Sequence, residues 1–368
     1  MHWAFKHSEL KDIAEKVEAG ERLTFEDGLR LYHSRELLVV GKLADQVNRK
    51  RNGDNVYFVQ NHRITPTNVC AFHCNFCSFR RNGNDPDAYV RTPEEIIARA
   101  SKTYTDRTYE FHIVGGLVPE LGVDYYAEIC AALKREFPHV HVKAFTAVEI
   151  DYMAQISKIS WRETLETLKQ AGLDAMPGGG AEIFHWDVRR KICPEKVNGE
   201  GWLEIHGIAH SLGIRTNATM LYGHIETLEQ RVDHLVKLRE QQDKSGGFIT
   251  YIPLAYHPEN NNLGRVKKLD WTTGAEDLRE LAIGRLMLDN FSHVKSYWIS
   301  STPRIAQVSL NYGVSDIDGT VVEEDIYHAA GATTEEGLTR NDLTSLIRAA
   351  GKTPIERDAL YNHIEVYA

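Results

Sequence analysis

The sequence predicts an α/β protein built on a (β/α)8 TIM-type barrel, with helices before it and an extension behind it. Short apolar runs alternate with amphipathic stretches from about Asn55 onward, and eight such runs can be traced. Every motif with chemical content also stands just past one of those runs, where a barrel presents its reactive loops.

Residues 8–49 read as two helices, with apolar side chains at helical spacing (Leu10, Ile13, Val17; Leu29, Leu31, Leu37, Leu38). No proline-rich or low-complexity linker follows, so segment 1–52 is expected to pack on a barrel spanning 53–331, with 332–368 as a helical tail. The expected strands are Val56–Ile64, Tyr109–Val114, Val140–Phe145, Leu173–Met176, Arg215–Leu221, Phe248–Leu254, Val294–Ile299 and, weakest, Val308–Tyr312. Expected helices between them are Pro93–Tyr104, Asp124–Phe137, Trp161–Ala171, Pro194–Leu212, Thr227–Gln242 and Ala275–Asn290. Thr92-Pro93-Glu94-Glu95 carries an N-cap, a first-turn proline and first-turn acids. Gly172 and Gly213 stand where C-caps belong. A six-stranded open barrel with an appended tail is the rival arrangement, because the eighth run is short.

The chain has 368 residues, 42% hydrophobic and 26% charged, enough to bury a large core. Its net charge of −9 argues against nucleic acid as the main partner. No run approaches a membrane span, and the N-terminus lacks an apolar secretory core. Of five cysteines, three crowd into residues 70–77, the usage of a metal site in a reducing compartment, so a cytoplasmic location is expected.

That cluster, Cys70-Ala-Phe-His-Cys74-Asn-Phe-Cys77, follows the first expected strand. Its spacing lets a looped backbone turn three thiolates toward one point, and soft thiolates suit iron–sulfur clusters or zinc. Most iron–sulfur clusters take four cysteines. Three leave one iron free to chelate the amino and carboxylate groups of a methionine moiety. Two other readings stand beside this: a zinc site completed by His73 or another histidine, and a chance grouping of buried thiols. Cys130 and Cys193 are isolated.

The CxxxCxxC pattern after the first strand of a β/α barrel, with Phe76 before its last cysteine, resembles the radical S-adenosylmethionine (SAM) superfamily. The resemblance implies a 4Fe-4S cluster, SAM as co-substrate, Phe76 near the adenine, and an external electron donor such as a flavodoxin or ferredoxin. In His112-Ile-Val-Gly115-Gly116 the glycines then let backbone approach SAM. Further segments are similar to a small branch containing the futalosine-pathway enzymes of menaquinone biosynthesis and the deazaflavin synthases. These are Lys143-Ala-Phe-Thr146-Ala-Val-Glu149, Pro177-Gly-Gly179-Gly-Ala-Glu182, Val188-Arg189-Arg190-Lys-Ile-Cys193-Pro194, Tyr222-Gly-His224 and Tyr256-His257-Pro. Within that branch the Lys-Ala-Phe-Thr-Ala-Val-Glu, Ile-Cys-Pro and Tyr-Gly-His segments resemble the aminofutalosine synthases. That implies addition of the 5′-deoxyadenosyl radical to an enolpyruvyl benzoate, 3-(1-carboxyvinyloxy)benzoate. Val118 departs from the pattern, since the synthases often carry histidine there.

From this reading the metal ligands are Cys70, Cys74 and Cys77. Phe76, Gly115, Gly116, Thr146, Glu149, Gly179 and Glu182 are cofactor-binding candidates. Glu182 and Glu149 are placed either to accept from ribose hydroxyls or to complement a helix dipole. Arg189, His224 and His257 are the catalytic candidates: arginine pairs carboxylates in bidentate fashion, and histidine donates a proton or binds a carboxylate. For each the plain alternative is a structural role. Sister chemistries, a futalosine cyclase or a deazaflavin synthase, and a non-catalytic zinc or iron–sulfur scaffold, are the competing functions. Oligomeric state is not legible.

Overall fold

The computed structural model describes residues 5–367. Three helices, Lys11–Ala19, Phe25–His33 and Leu37–Asn52, precede the barrel where two were expected. The extra break is chemical. Gly20 ends the first helix at φ 76°, and Thr24 with Asp27 forms a capping box that starts the second. Lys16 then reaches back to the buried Asp27 at 2.8 Å.

The first expected strand, 56–64, is two strands. β1 (Asn55–Val59) and β2 (Asn61–Ile64) are separated at Gln60 and join different sheets. The main sheet continues through β3 (Glu110–Ile113), β4 (His141–Ala144), β5 (Ala175–Met176), β6 (Arg215–Tyr222), β7 (Phe248–Ala255) and β8 (His293–Val294). These seven strands, β2 to β8, run in sequence order and pair in parallel throughout. Each connection is the crossover that a parallel pair requires.

The eighth position is filled differently from expectation. Val308–Tyr312 is not a strand: Pro303–Ser309 is a helix, capped by Thr302 with Pro303 in its first turn. β9 (Asp316–Gly319) and the residues beyond it span the gap instead. Ser315 N–H donates to Val294 O at 3.0 Å on one side, and Arg63 N–H donates to Val322 O at 3.0 Å on the other. The run 294–299 is also shorter than expected, because Trp298–Ser301 turns helical.

The region 332–368 is not a helical tail. Helix Arg340–Ala349 is followed by β10 (Thr353–Arg357) and β11 (His363–Val366). They complete a second sheet, ordered β11-β10-β1-β9, so strands from both sides of residue 331 share one ladder. The helix expected over Pro194–Leu212 starts only at Gly199, capped by Asn198, and runs to Ser211, and a separate helix that was not expected, Trp186–Ile192, precedes it. Pro93–Thr103 and Leu228–Ser245 start on Thr92 and Thr227 capping boxes.

Candidate active site

The chain between β2 and helix Pro93–Thr103 carries the cysteine loop. Its backbone is pinned at several points: Cys70 N–H to Arg81 O (3.2 Å), Ala71 N–H to Leu117 O (2.8 Å) and Asn75 N–H to Ile192 O (2.8 Å). Cys70, Cys74 and Cys77 are half-buried and line one cavity of about 310 Å³ at the mouth of the barrel. Burial pushes the Cys70 and Cys74 thiols well up. A thiolate there therefore requires a bound cation to offset its desolvation. Three soft donors lining one cavity suit a cluster with one open iron. Phe76 lines the same cavity.

His73 lies outside that cavity lining; it borders an outer surface cleft together with Cys74 and Cys77, with its ring against Arg80 (2.7 Å) and Glu195 (3.6 Å). Among the described residues no three His, Cys, Asp or Glu side chains are grouped to hold a single metal ion. Cys130 and Cys193 are buried and lie outside the cavity lining.

Gly115, Gly116, Thr146, Glu149, Gly179 and Glu182 all line the cavity. The glycine pair is demanded first by the protein itself: a Cβ on Gly116 would lie 2.0 Å from Val69 O. Only glycine lets this loop press against the strand end that launches the cysteines. Thr146 and Glu149 form the capping box of helix Ala147–Ser157, whose existence the sequence reading missed. The second carboxylate oxygen of Glu149 accepts from Gly115 N–H at 3.3 Å. Burial raises the Glu149 carboxyl to about 7, against those hydrogen bonds.

Glu182 sits at φ 46° after the triple glycine. Its carboxylate takes Lys196 Nζ at 2.6 Å, and this contact holds it low despite burial. The same ammonium stands 5.0 Å from the centre of the Phe76 ring.

Two catalytic candidates do not face the cavity. Arg189 is 1% exposed, and its guanidinium donates to the carbonyls of Gly180 (3.3 Å), Ile183 (3.4 Å), Ala181 and Val197. It frames the glycine loop from behind with Nη1 and Nη2, while its buried Nε has no partner among the described residues. The His224 ring is buried between Glu226 (Nδ1 to Oε2, 2.9 Å) and Leu221 O (Nε2, 3.0 Å), so neither nitrogen is left for a substrate. His257 does line the cavity. Its Nε2 contacts Ser300 O at 3.0 Å, its Nδ1 has no partner among the described residues, and burial pushes the imidazole below its usual range.

The sequence reading missed the floor. Arg63, His112 and Lys143 are register partners across β2, β3 and β4, and all three line the cavity with Lys295 and Asp318. Lys143 pairs with Glu110 at 2.6 Å; Asp318 takes Lys295 at 2.7 Å and Arg63 at 3.0 Å. Barrel interiors are ordinarily filled by branched aliphatics. The signal was present as alternate polar residues inside apolar runs: Asn61/Arg63, Glu110/His112 and Asn217/Thr219.

The sequence pattern of the radical SAM superfamily matches residues 64–238, and that of the CofH/MqnC C-terminal region matches 245–368. An aminodeoxyfutalosine synthase of Thermus thermophilus is 51% identical over 96% of this chain and 96% of its own length. An aminodeoxyfutalosine synthase of Streptomyces coelicolor is 43% identical over 97% of this chain and 94% of its own. Among solved structures, methylornithine synthase (PylB) superposes with a TM-score of 0.74 at 16% identity, over 93% of this chain and 96% of that one, a likeness of fold alone.

Proposed function

The chain belongs to the radical SAM superfamily, in the branch carrying the CofH/MqnC C-terminal region, and from that premise we propose that it acts as an aminodeoxyfutalosine synthase in menaquinone biosynthesis. It is a radical SAM enzyme that uses a 4Fe-4S cluster and SAM. The observation that carries the finer reading is the near-full-length likeness to two synthases of that name.

Cys70, Cys74 and Cys77 would hold the cluster. When bound, it supplies one electron to the sulfonium of SAM, releasing methionine and a 5′-deoxyadenosyl radical. The acceptor is 3-(1-carboxyvinyloxy)benzoate, whose terminal CH2 takes the new carbon–carbon bond. The carbon left with the unpaired electron is flanked by a carboxylate and an ether oxygen, which both delocalise it. The aryl group would then migrate from the ether oxygen to that carbon, leaving an oxygen-centred radical; breaking the bond to the carboxylate turns this into the ketone of aminodeoxyfutalosine and carries the unpaired electron away on the departing carbon dioxide radical anion.

The protein's part is placement and exclusion. Glu182, held ionised by Lys196, and Glu149 offer acceptors for ribose hydroxyls beside the cysteine loop. Gly115, Gly116 and Gly179 keep the wall free of side chains where SAM would lie. His257 lines the cavity, and its buried Nδ1 has no partner among the described residues. Ile252 and Leu254 of β7 line the same cavity and give the aryl ring an apolar wall. A one-electron reductant is required; a flavodoxin or ferredoxin fits that need. No helix among the described residues is long and apolar enough to cross a membrane. The reduced thiols of the cysteine loop suit the cytoplasm.

The test uses SAM labelled in adenine, with the reconstituted protein, a reductant and the enolpyruvyl benzoate. The label should appear in a product that also contains the aryl ring. Recovery only as free 5′-deoxyadenosine would refute the synthase reading and favour a hydrogen-abstracting relative.

A further inference from the structure

The polar floor of the barrel holds more positive charge than it neutralises. Four cations, Arg63, Lys143, Lys295 and Arg357, accompany three carboxylates: Arg63, Lys295 and Arg357 are linked through Asp318 and Asp316, and Lys143 pairs separately with Glu110. The remaining carboxylate near Arg63, Glu324, is engaged by His328 at 3.2 Å, and that contact raises the imidazole to about 9. His112, between Arg63 and Lys143 in the sheet register, is driven well below its usual range by burial and by those two cations. It therefore adds no charge. Each cation has a carboxylate partner, but Asp316 and Asp318 are each shared by two, so the group carries one more cation than carboxylates. Lys143 is brought down to about 8 chiefly by its burial, with Lys295 adding to that and Glu110 opposing it. Arg63 Nε and Tyr297 Oη, and on the acidic side Glu110 Oε1, are buried with no hydrogen-bond partner among the described residues.

Arg63 and Lys143 lie within strands β2 and β4, below the loop beyond β2 that carries the cysteines, and both groups line the same cavity. A ligand whose reacting carbon is held near the cysteine loop reaches the floor only with its far end. In the substrate proposed above, the enolpyruvyl carboxylate is attached next to the reacting CH2. The ring carboxylate is the group at the other end.

We propose that Arg63, Lys143 and Lys295 form the subsite for the ring carboxylate of the substrate, with Asp318 holding Arg63 and Lys295 in place beneath it. The assignment rests on the synthase reading. Each cation keeps donors beyond those used in its present pair, so an arriving carboxylate completes the set without breaking it. It also cancels the surplus charge. The floor thus selects an anionic ring substituent at the far end, and gives the substrate a fixed depth from which its vinyl carbon meets the deoxyadenosyl carbon.

The test is equilibrium binding to the cluster-reconstituted, SAM-loaded protein without reductant, so that no turnover occurs. The titrants are 3-(1-carboxyvinyloxy)benzoate and the analogue whose ring carboxylate is a carboxamide. The carboxamide should bind at least about tenfold more weakly, the worth of a charge-assisted contact. In the charge-balanced double variant Lys143→Met/Glu110→Gln the gap between the two ligands should shrink several-fold, with SAM binding unchanged. Equal binding of acid and amide to the unaltered protein overturns the subsite whatever the variant does, provided the diacid is converted to adenosylated product on reduction. If the diacid neither binds nor is converted, the synthase reading falls and the subsite falls with it.

Discussion

Lys196 Nζ lies 2.6 Å from Glu182 Oε1, and both side chains are largely withdrawn from solvent. One ammonium thus fixes a carboxylate at the cavity wall, beside Phe76 and the cysteine loop. If that carboxylate serves SAM, Glu182→Gln and Lys196→Met should each weaken SAM binding about tenfold. The double variant should be no worse than the poorer single, because the two groups act as a unit. Equilibrium dialysis of the reconstituted protein reads this directly; additive losses would show that the pair does not work together.

For the cluster, Cys70→Ala, Cys74→Ala and Cys77→Ala should each abolish iron and sulfide retention and SAM cleavage. Cys130→Ser and Cys193→Ser should retain both. Cys193 is the informative control: it is near enough to Cys74 to influence its thiol, yet it is buried outside the cavity lining. Loss of iron in Cys193→Ser would require a different ligand set.

Glu149 provides a pH signature. Burial raises its carboxyl from about 4.5 to about 7 in the folded protein. Between those values the folded state binds more protons than the unfolded one, so this group's contribution to stability is lost as pH rises through 7. Denaturant unfolding of cluster-free protein at pH 5 and pH 8 should show the difference. Glu149→Gln should remove a decline of about 2 kcal/mol between those two conditions. An identical pH slope in both proteins would mean that the carboxyl is ordinary.

Arg189 separates scaffold from catalysis. Its guanidinium serves four backbone carbonyls around the glycine loop, a pattern that lysine cannot reproduce. Arg189→Lys should cost about 3 kcal/mol of stability, the scale of breaking a buried charged network. A variant of unchanged melting temperature with raised KM for the benzoate alone would return Arg189 to the substrate.

Much of the architecture was written locally. Thr92-Pro93 and Thr227 begin their helices through hydrogen bonds to residues three positions on. The apolar runs that became β3, β4, β6 and β7 announced themselves by composition. The error at Val308–Tyr312 has a local cause too: a short apolar run reads alike as strand or buried helix, and Thr302-Pro303 decided for helix. β9 was overlooked because Asp316-Ile-Asp-Gly319 is half acidic. Its carboxylates are tolerated in the interior only because Arg357, Lys295 and Arg63 arrive from distant parts of the chain.

By itself, then, the sequence determined the alternation of strands and helices and the three-cysteine loop, because helical period, capping and a seven-residue ligand spacing are properties of neighbouring residues. Only the tertiary structure decided which charged groups are functional. Arg189 and His224 carry suitable chemistry but turn toward backbone carbonyls and Glu226, while Arg63, Lys143 and Lys295, scattered over more than two hundred positions, meet at one floor. The reason is physical: whether a buried cation is free for a ligand depends on which carboxylates and carbonyls fold against it, and no local pattern records those partners.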